Sequence, residues 1–483
     1  MSTREFLNCI NGQFTPAVSG KTFEVRNPAH KSEVVAIMPD SAAADMAAAV
    51  AAAVAAFPAW SKLPPGRRAV YLEKAAEALA RRRDEAATLL VREEGKHISE
   101  ARGEVDRSVG LLDYYAAQSH LLTGQTVPST MDNRLAYTLR SPLGPVGIIT
   151  PWNFPSAIPI WKTAPALICG NTVVLKTSPR SPASAGLFAE CLAEAGLPAG
   201  VFNLVHGGKK PGEALTSDAR IKAISFTGSL AVGQSIMRKC ADRLIRIGLE
   251  MGGKNPLIVM DDADLDRAVN DAVVGAFWAA GHKCTATSRV IVLESVHDAF
   301  VEKLLARTAQ LKVGDGLDPA IQIPPVIDEA QLNVILNYIS IGRAEGATLA
   351  CGGGRLAGGI HDEGCYLSPA VFTHVTPGMR IAREEIFGPV LCVIKAKNLD
   401  EAIQIANDVP FGLAAGICTR SLAHAMEFSR RIDAGVIHVN NPTAGLELQL
   451  PFGGCKCSTS GYREMGTAAI DFYTQTRTFY IDP

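Results

Sequence analysis

No charge sign dominates this chain: 47 lysines and arginines stand against 48 aspartates and glutamates in 483 residues, a formal net charge of -1. Such a balance supplies no basic field for nucleic acid and no acidic tail, so small neutral or singly charged partners fit better. Long hydrophobic runs are missing too. Apolar stretches such as residues 47–57 fall far short of the roughly 18 residues that suggest a membrane span. Residues 1–11 carry Arg4 and Glu5 and no apolar run, so no signal peptide is expected. Cysteines are present but unpaired in pattern. The eleven, among them Cys9, Cys169, Cys191, Cys240 and Cys284, are scattered, with Cys455-Lys456-Cys457 the one close pair. Neither a disulfide framework nor a metal site is expected, and a reducing, cytoplasmic location is the default. Also absent is a G-x-G-x-x-G run opening a helix after a strand, the usual dinucleotide fingerprint.

What is there has the composition of a globular protein, 47% hydrophobic and 20% charged, and is too long for one core. Residues 41–56 read as an alanine-rich helix capped by Asp40 or Ser41, and residues 67–80 as a second helix. Short apolar runs at 146–150, 172–176, 223–227, 257–260 and 289–293 read as buried strands, each followed by a turn or helix. Alternation of this kind predicts an α/β fold with a parallel, doubly wound sheet. Asp261-Asp262-Ala263-Asp264 is an N-cap cluster for a helix ending near Gly281. Cys284 then lies in a loop past a helix C-terminus, with no N-terminal dipole to lower its pKa. Residues 470–481, with Phe472, Tyr473, Phe479 and Tyr480, alternate weakly and suggest a β-like tail that needs a partner strand.

Four motifs carry chemistry. Gly281-His282-Lys283-Cys284-Thr285-Ala286-Thr287-Ser288 places a thiol among small polar residues where a packed core would prefer aliphatics; by itself a lone cysteine is more often a small buried hydrophobe. Gly248-Leu249-Glu250-Met251-Gly252-Gly253-Lys254-Asn255 nearly matches a phosphate loop but has Asn255 in place of the final hydroxyl, and it precedes a strand. Its glycines read instead as close backbone approach around the Glu250 carboxylate, a base able to draw a proton from water. In Thr150-Pro151-Trp152-Asn153-Phe154-Pro155, two prolines restrict Asn153, whose amide is a donor for a developing oxyanion or, more simply, a turn residue. Ser225-Phe226-Thr227-Gly228-Ser229-Leu230-Ala231-Val232-Gly233 runs from a strand into a helix whose first amides can hold a pyrophosphate.

Taken in order, these motifs resemble the aldehyde dehydrogenase superfamily over essentially the whole chain. Further matches are Thr172-Val173-Val174-Leu175-Lys176, Glu384-Glu385-Ile386-Phe387-Gly388-Pro389 and Pro451-Phe452-Gly453-Gly454. The resemblance implies two doubly wound parallel-sheet domains plus a small β oligomerisation element. It implies that Cys284 attacks the aldehyde carbon while Asn153 and the Cys284 N–H hold the oxyanion, that a thiohemiacetal gives its hydride to NAD or NADP, and that Glu250 activates water against the resulting thioester. Lys176 and Glu385 resemble the ribose contacts, Phe387 a neighbour of the nicotinamide ribose and Ser229 a pyrophosphate contact. Gly228, Gly233, Trp152 and Thr150 are placed with them on the cofactor side. Pro179 stands where members preferring NAD commonly carry glutamate, so NADP is expected to be tolerated. His282 stands where glutamine is frequent, and 456–464 is a looser form of the family's glycine-rich tail.

The segment Asn440-Asn441-Pro442-Thr443-Ala444-Gly445-Leu446-Glu447-Leu448-Gln449-Leu450-Pro451, with the loop around Cys284, is similar to bacterial 2-oxoglutarate semialdehyde dehydrogenases. Such a substrate carries a distal carboxylate, and Arg107, flanking the apolar stripe of Val105, Val109, Leu112 and Ala116, is its candidate partner; an internal salt bridge is the competing reading. Phe154, Trp161 and Thr285 complete the candidate substrate contacts. Succinate or glutarate semialdehyde, a CoA-acylating reaction and a non-catalytic binding role are the alternatives. Residues 1–124 and 146–252 are expected to bind cofactor and 253–455 to hold the thiol. Residues 125–145 and 456–483 are expected to pair in a homodimer or homotetramer.

Overall fold

The computed structural model describes residues 3–483; Met1 and Ser2, the start of the stretch in which no signal peptide is expected, lie outside them. Two seven-stranded sheets organise the chain. In the first, the strands run in the order Arg246–Glu250, Ala223–Thr227, Pro145–Ile149, Thr172–Lys176, Phe202–Leu204, Asn8–Ile10 and Gln13–Thr15. The first five are parallel and the last two antiparallel. Strand order reverses beside Pro145–Ile149, because the chain proceeds to Thr172–Lys176 on one side and later returns to Ala223–Thr227 on the other. The carboxyl ends of strands at such a switch point open a crevice that binds ligands in α/β folds.

The second sheet has the order Thr348–Cys351, Ala370–Thr373, Val390–Ala396, Thr287–Leu293, Asn255–Val259, Ala414–Cys418 and Val436–Val439, parallel except at its first pair. Residues 251–254 link the sheets directly, so the carboxyl end of Arg246–Glu250 faces the amino ends of Asn255–Val259 and Thr287–Leu293. The expected strands are all present, each within two residues of its expected start, because buried parallel strands are continuous apolar runs.

Two expectations need correction, and a third feature was not foreseen. The alanine-rich helix is Ala43–Lys62, six residues longer at its end, and its cap is Ala42, not Asp40 or Ser41. The Asp45 carboxylate accepts from the Ala42 N–H at 2.9 Å and from the Val18 N–H at 2.8 Å, so the third helical residue satisfies the terminus from inside. At 20 residues this helix is long and apolar enough to cross a membrane by length and composition. Here Met46, Ala49, Val50, Ala53 and Trp60 are buried, the Ala53 carbonyl accepts from Thr172 Oγ1 at 2.9 Å, and Trp60 Nε1 donates to the Leu167 carbonyl at 3.2 Å. Second, the C-terminal region is a helix, Ala468–Tyr473, followed by the strand Thr474–Ile481. That strand pairs antiparallel with Leu135–Pro142 along its whole length, and Tyr137 stacks on Phe479 at 5.0 Å. Third, a small sheet of Arg4–Glu5, Val34–Pro39 and Thr22–Arg26 precedes all expected elements.

Helices cover the first sheet and carry site residues. Ile98–Ala117 buries Ala101, Val105, Leu111, Leu112, Tyr115 and Ala116, each large aliphatic contributing roughly 1.5–3 kcal/mol. It packs on Ala157–Ile168, every residue of which is buried.

Candidate active site

The helix Leu265–Phe277 is capped by Asp264, whose side chain accepts from the Arg267 N–H at 3.2 Å, and ends in a tight turn at Trp278–Gly281. Within that turn Ala279 and Ala280 hold φ of 53° and 51° and Gly281 holds 70°. A left-handed alanine costs about 1–2 kcal/mol, so the surrounding packing must enforce this reversal. A Cβ on Gly281 would meet the Gly388 carbonyl oxygen at 2.4 Å, and glycine thus lets the turn close on the loop of Glu385 and Phe387. Cys284 follows, partly exposed, just ahead of Thr287–Leu293. Asn255 holds its backbone: Nδ2 donates to the Cys284 and Ala286 carbonyls, both at 2.8 Å, and Oδ1 accepts from the Ala414 N–H at 3.0 Å.

A cleft of about 470 Å³ opens at the switch point and reaches the thiol. Its walls include Thr150, Trp152, Asn153, Lys176, Thr227, Gly228, Ser229 and Glu250 from the first sheet and its loops, and Cys284, Glu385 and Phe387 from loops beside the second. Several polar groups here lack protein partners. Among the described residues, the hydroxyls of Thr150 and Thr227 and Glu250 Oε2 are buried without a hydrogen bond, and no side chain caps the helix Leu230–Ala241 that begins after Ser229. The N–H groups at a helix start and unpaired hydroxyls suit a diphosphate and its sugars. Burial pulls the Lys176 ammonium down to about 8. Burial pushes Glu385 up to about 7, against the Gly253 N–H that it accepts from at 3.2 Å and the Lys254 charge. A Cβ on Gly252 would overlap Glu385 Oε2 at 2.0 Å, and one on Gly253 would press the Cys284 carbonyl at 2.9 Å. The paired glycines therefore admit two other segments, and the phosphate-loop reading falls because no helix follows them.

Glu250 ends its strand 2% exposed. Thr459 Oγ1 donates to Oε1 at 2.9 Å, leaving Oε2 unpartnered. Burial raises its pKa well above the carboxylate range; the Glu464 charge adds to this, while the Thr459 hydrogen bond, Lys162 and Arg463 oppose it. Behind it, Lys162 pairs with Glu464 and donates to Ser225 Oγ at 2.9 Å, and Trp161 Nε1 donates to Glu464 Oε2 at 2.8 Å. Burial pushes the Cys284 thiol up to about 12; the charges of Glu385 and Glu250 add to this, and the N–H groups of Thr285 and Cys284 pull it back. At neutral pH the resting sulfur is therefore protonated.

Asn153 is buried at 4% exposure and its Nδ2 donates to the His282 carbonyl at 2.8 Å, which occupies one of its two amide hydrogens. The His282 ring packs edge-on against Trp152 at 4.7 Å and stacks on Phe387 at 5.9 Å. Burial, with Lys96 and Arg180 nearby, pushes His282 down to about 3, so the ring is neutral near neutral pH and a poor proton acceptor.

A second cavity of about 270 Å³ also reaches the thiol. Arg107, Phe154, Trp161, Thr285, Ala444 and Leu446 line it, with Lys283 paired to Glu100 at 2.7 Å. Arg107 has no ion pair or hydrogen bond among the described residues, in contrast to the internal salt bridge held as its competing reading. Cys284 and Trp161 line both cavities.

All the expected site residues but one line these two cavities. Gly233 does not: it packs under its helix, where a Cβ would meet Met251 Sδ at 2.5 Å, so its role is close packing. Sequence reasoning missed Asn255 as an anchor, Gln331, whose Nε2 holds the Ile386 and Phe387 carbonyls at 3.1 and 3.0 Å, and the Lys162–Glu464 pair. Only Lys162 left a trace, as the single charge in Ala157–Ile168.

Residues 14–479 match the aldehyde dehydrogenase family. The alpha-ketoglutaric semialdehyde dehydrogenase of Bacillus subtilis (strain 168) is 46% identical over 479 residues, covering 99% of this chain and 98% of the relative. The 2,5-dioxopentanoate dehydrogenase of Saccharolobus solfataricus is 44% identical over 466 residues, 96% of each. Among solved structures, an NAD-dependent aldehyde dehydrogenase from Sinorhizobium meliloti superposes with a TM-score of 0.96 at 39% identity, over 99% of this chain and 95% of that one. With the family match spanning residues 14–479 and these relatives covering 96–99% of the chain, the chain belongs to the aldehyde dehydrogenase family.

Proposed function

We propose that this enzyme oxidises 2-oxoglutarate semialdehyde to 2-oxoglutarate with NAD or NADP, through an acyl group carried on Cys284. The observation that carries this reading is the position of Cys284 where two cavities meet, one walled by a bare helix start and the other by an uncommitted arginine. Lys176, Glu385, Phe387, Ser229, Gly228, Thr150 and Trp152 would hold the cofactor in the first. Bound there, NAD or NADP would supply a hydride acceptor at its nicotinamide.

In the second cavity Arg107 takes the distal carboxylate and Phe154, Trp161 and Thr285 enclose the chain, which places the aldehyde carbon at Sγ. Sγ adds to the aldehyde carbon as its proton passes to water in the cleft, and the C=O electron pair moves onto oxygen as a tetrahedral oxyanion, to which Asn153 and the Cys284 N–H donate. Once oxidation has left a thioester on Sγ, Glu250 takes a proton from water and the hydroxide displaces the thiolate, releasing the acid. The unpaired Oε2 of Glu250 in the cleft favours hydrolysis over transfer to CoA, which needs no such base. This reading assigns cofactor binding to residues 1–124 and 146–252 and the thiol to 253–455. The strand pair Leu135–Pro142 and Thr474–Ile481, with Leu135, Leu139, Tyr480 and Ile481 exposed, is read as a subunit contact of a homodimer or homotetramer. Eleven free cysteines fit the reducing cytoplasm.

Arg107 tests the substrate assignment. Losing one charge-assisted contact is worth roughly 1.5–3 kcal/mol, so Arg107→Ala should raise KM for 2-oxoglutarate semialdehyde about 10- to 100-fold and KM for a neutral aliphatic aldehyde less than about threefold. Equal effects on both aldehydes would remove the carboxylate role. Succinate and glutarate semialdehydes in the same assay report how chain length is read.

The cofactor assignment has its own test. Ser178, Pro179 and Arg180 line the cleft beside Lys176 without a carboxylate among them, although Arg180 is itself paired to Asp328 at 2.9 Å. NADP should therefore support kcat/KM within about tenfold of NAD, and Pro179→Glu should lower the NADP value at least about tenfold more than the NAD value by like-charge repulsion. A parent enzyme that rejects NADP would contradict this.

A further inference from the structure

The charged run Glu93-Glu94-Gly95-Lys96 precedes the helix Ile98–Ala117, yet Glu93, Glu94 and Lys96 are all buried. Lys96 Nζ lies 2.6 Å from Glu104 Oε2 and donates at 2.8 Å to the carbonyl oxygen of Asn153. The other oxygen of Glu104 accepts from the N–H groups of Ser156 and Ala157, at 2.9 and 3.0 Å. Ser108 Oγ, one turn along the helix, meets Ser156 Oγ at 2.9 Å. The segment between the strand Pro145–Ile149 and the helix Ala157–Ile168 is thus held by Glu104 and Ser108 of that helix and by Lys96 just before its start, on either side of the proline at 155 that has no N–H to offer.

A buried ion pair adds little net stability, because the loss of hydration offsets the attraction. Stability alone does not explain why one lies under the catalytic segment. Its geometric effect is specific: of the two ends of Asn153, the backbone carbonyl is fixed by Lys96 and the side-chain amide by the His282 carbonyl, two residues before the thiol. We propose that Lys96 and Glu104 are positioning residues that hold the Asn153 amide in register with Cys284, so that its donor meets the oxyanion. This rests on the reading of Asn153 as an oxyanion donor. The same helix carries Arg107, so one element sets both the donor and the far end of the substrate.

The test compares two reactions of one thiol in the cofactor-free enzyme. Acylation by 4-nitrophenyl acetate forms an S–C bond to the acetyl carbon, expels 4-nitrophenolate and releases the thiol proton; it passes through an oxyanion. Alkylation by iodoacetamide displaces iodide and does not. Removing an oxyanion donor typically costs 10²–10³-fold and a misplacement of about 1 Å can cost 10²-fold, so Asn153→Ala should slow acylation about 100-fold and Lys96→Met at least about tenfold. Alkylation by Lys96→Met should stay within about twofold of the parent. Added to Asn153→Ala, Lys96→Met should slow acylation no further, because it acts through that amide. Glu104→Gln keeps an acceptor for Ser156 and Ala157 while removing the charge facing Lys96. It should show the same selective loss, and it carries the test if Lys96→Met does not fold. Equal losses in both reactions, no loss in acylation, or the same loss again on the Asn153→Ala background overturns the proposal. An Asn153→Ala enzyme that acylates at the parent rate removes the oxyanion reading and the proposal with it.

Discussion

Replacing Cys284 by serine is expected to abolish the burst of reduced cofactor and to lower steady turnover by roughly 10⁴-fold or more. The sulfur is the single atom on which both chemical steps converge, and both cavities open onto it. Burial and the Glu385 and Glu250 charges already hold the thiol up at about 12, so its reactivity depends on sulfur's intrinsic nucleophilicity and on charge brought in beside it. A serine hydroxyl in the same field is a far weaker nucleophile, and among the described residues no base is hydrogen-bonded to this position: His282 is packed between Trp152 and Phe387, and burial makes it a poor proton acceptor. Loss of a nucleophile that acts as a unit with its neighbours typically removes nearly all catalysis above background. A Cys284→Ser enzyme that retains a burst of parent amplitude would refute the assignment.

Glu250→Gln should separate the two half-reactions. The burst should persist while steady turnover falls about 10²–10⁴-fold, the range for loss of a general base. Glutamine keeps the size of the side chain and its bond from Thr459, but it accepts no proton. Since the Glu250 charge pushes the thiol up, its removal should leave iodoacetamide alkylation unchanged or faster. The sign of the pH effect follows from the same group. A base works when deprotonated, and burial with Glu464 raises its pKa well above the usual ~4.3. In the parent, kcat should therefore climb with pH through a limb displaced above the ordinary carboxylate range, and Glu250→Gln should flatten that limb. Disappearance of the burst in this variant would mean that Glu250 is needed for acylation as well.

The residues that sequence made legible are those whose chemistry and backbone demands sit together in a short stretch. Glu250 is followed at once by the glycines that admit Glu385 and the Cys284 loop, and Ser229 stands where its strand turns into its helix. Residues whose partners are remote in sequence left little signal. Lys162 meets Glu464, Arg246 donates to the Phe472 carbonyl at 2.8 Å, and Lys96 reaches the Asn153 carbonyl. The run at 93–96 has the composition of a solvated helix end, yet Glu93 is buried on the N–H groups of Ala183 and Ser184 at 2.7 and 2.9 Å. Left-handed Ala279 and Ala280 carry no mark at all, because alanine signals helix and tertiary packing overrode that preference. The short N-terminal strands were equally hidden: Arg4–Glu5 and Thr22–Arg26 carry charges and hold their form through pairing with Val34–Pro39.

Mass spectrometry of the Glu250→Gln enzyme, acid-quenched within the first turnover of 2-oxoglutarate semialdehyde in the presence of NAD, reads the acyl carrier itself. The peptide bearing Cys284 should gain the mass of the aldehyde less two hydrogens, the signature of a thioester, and hydroxylamine should remove the adduct. A gain of the whole aldehyde mass, an adduct on another residue, or product formed with Cys284 unmodified throughout would contradict the role of Cys284 as that carrier.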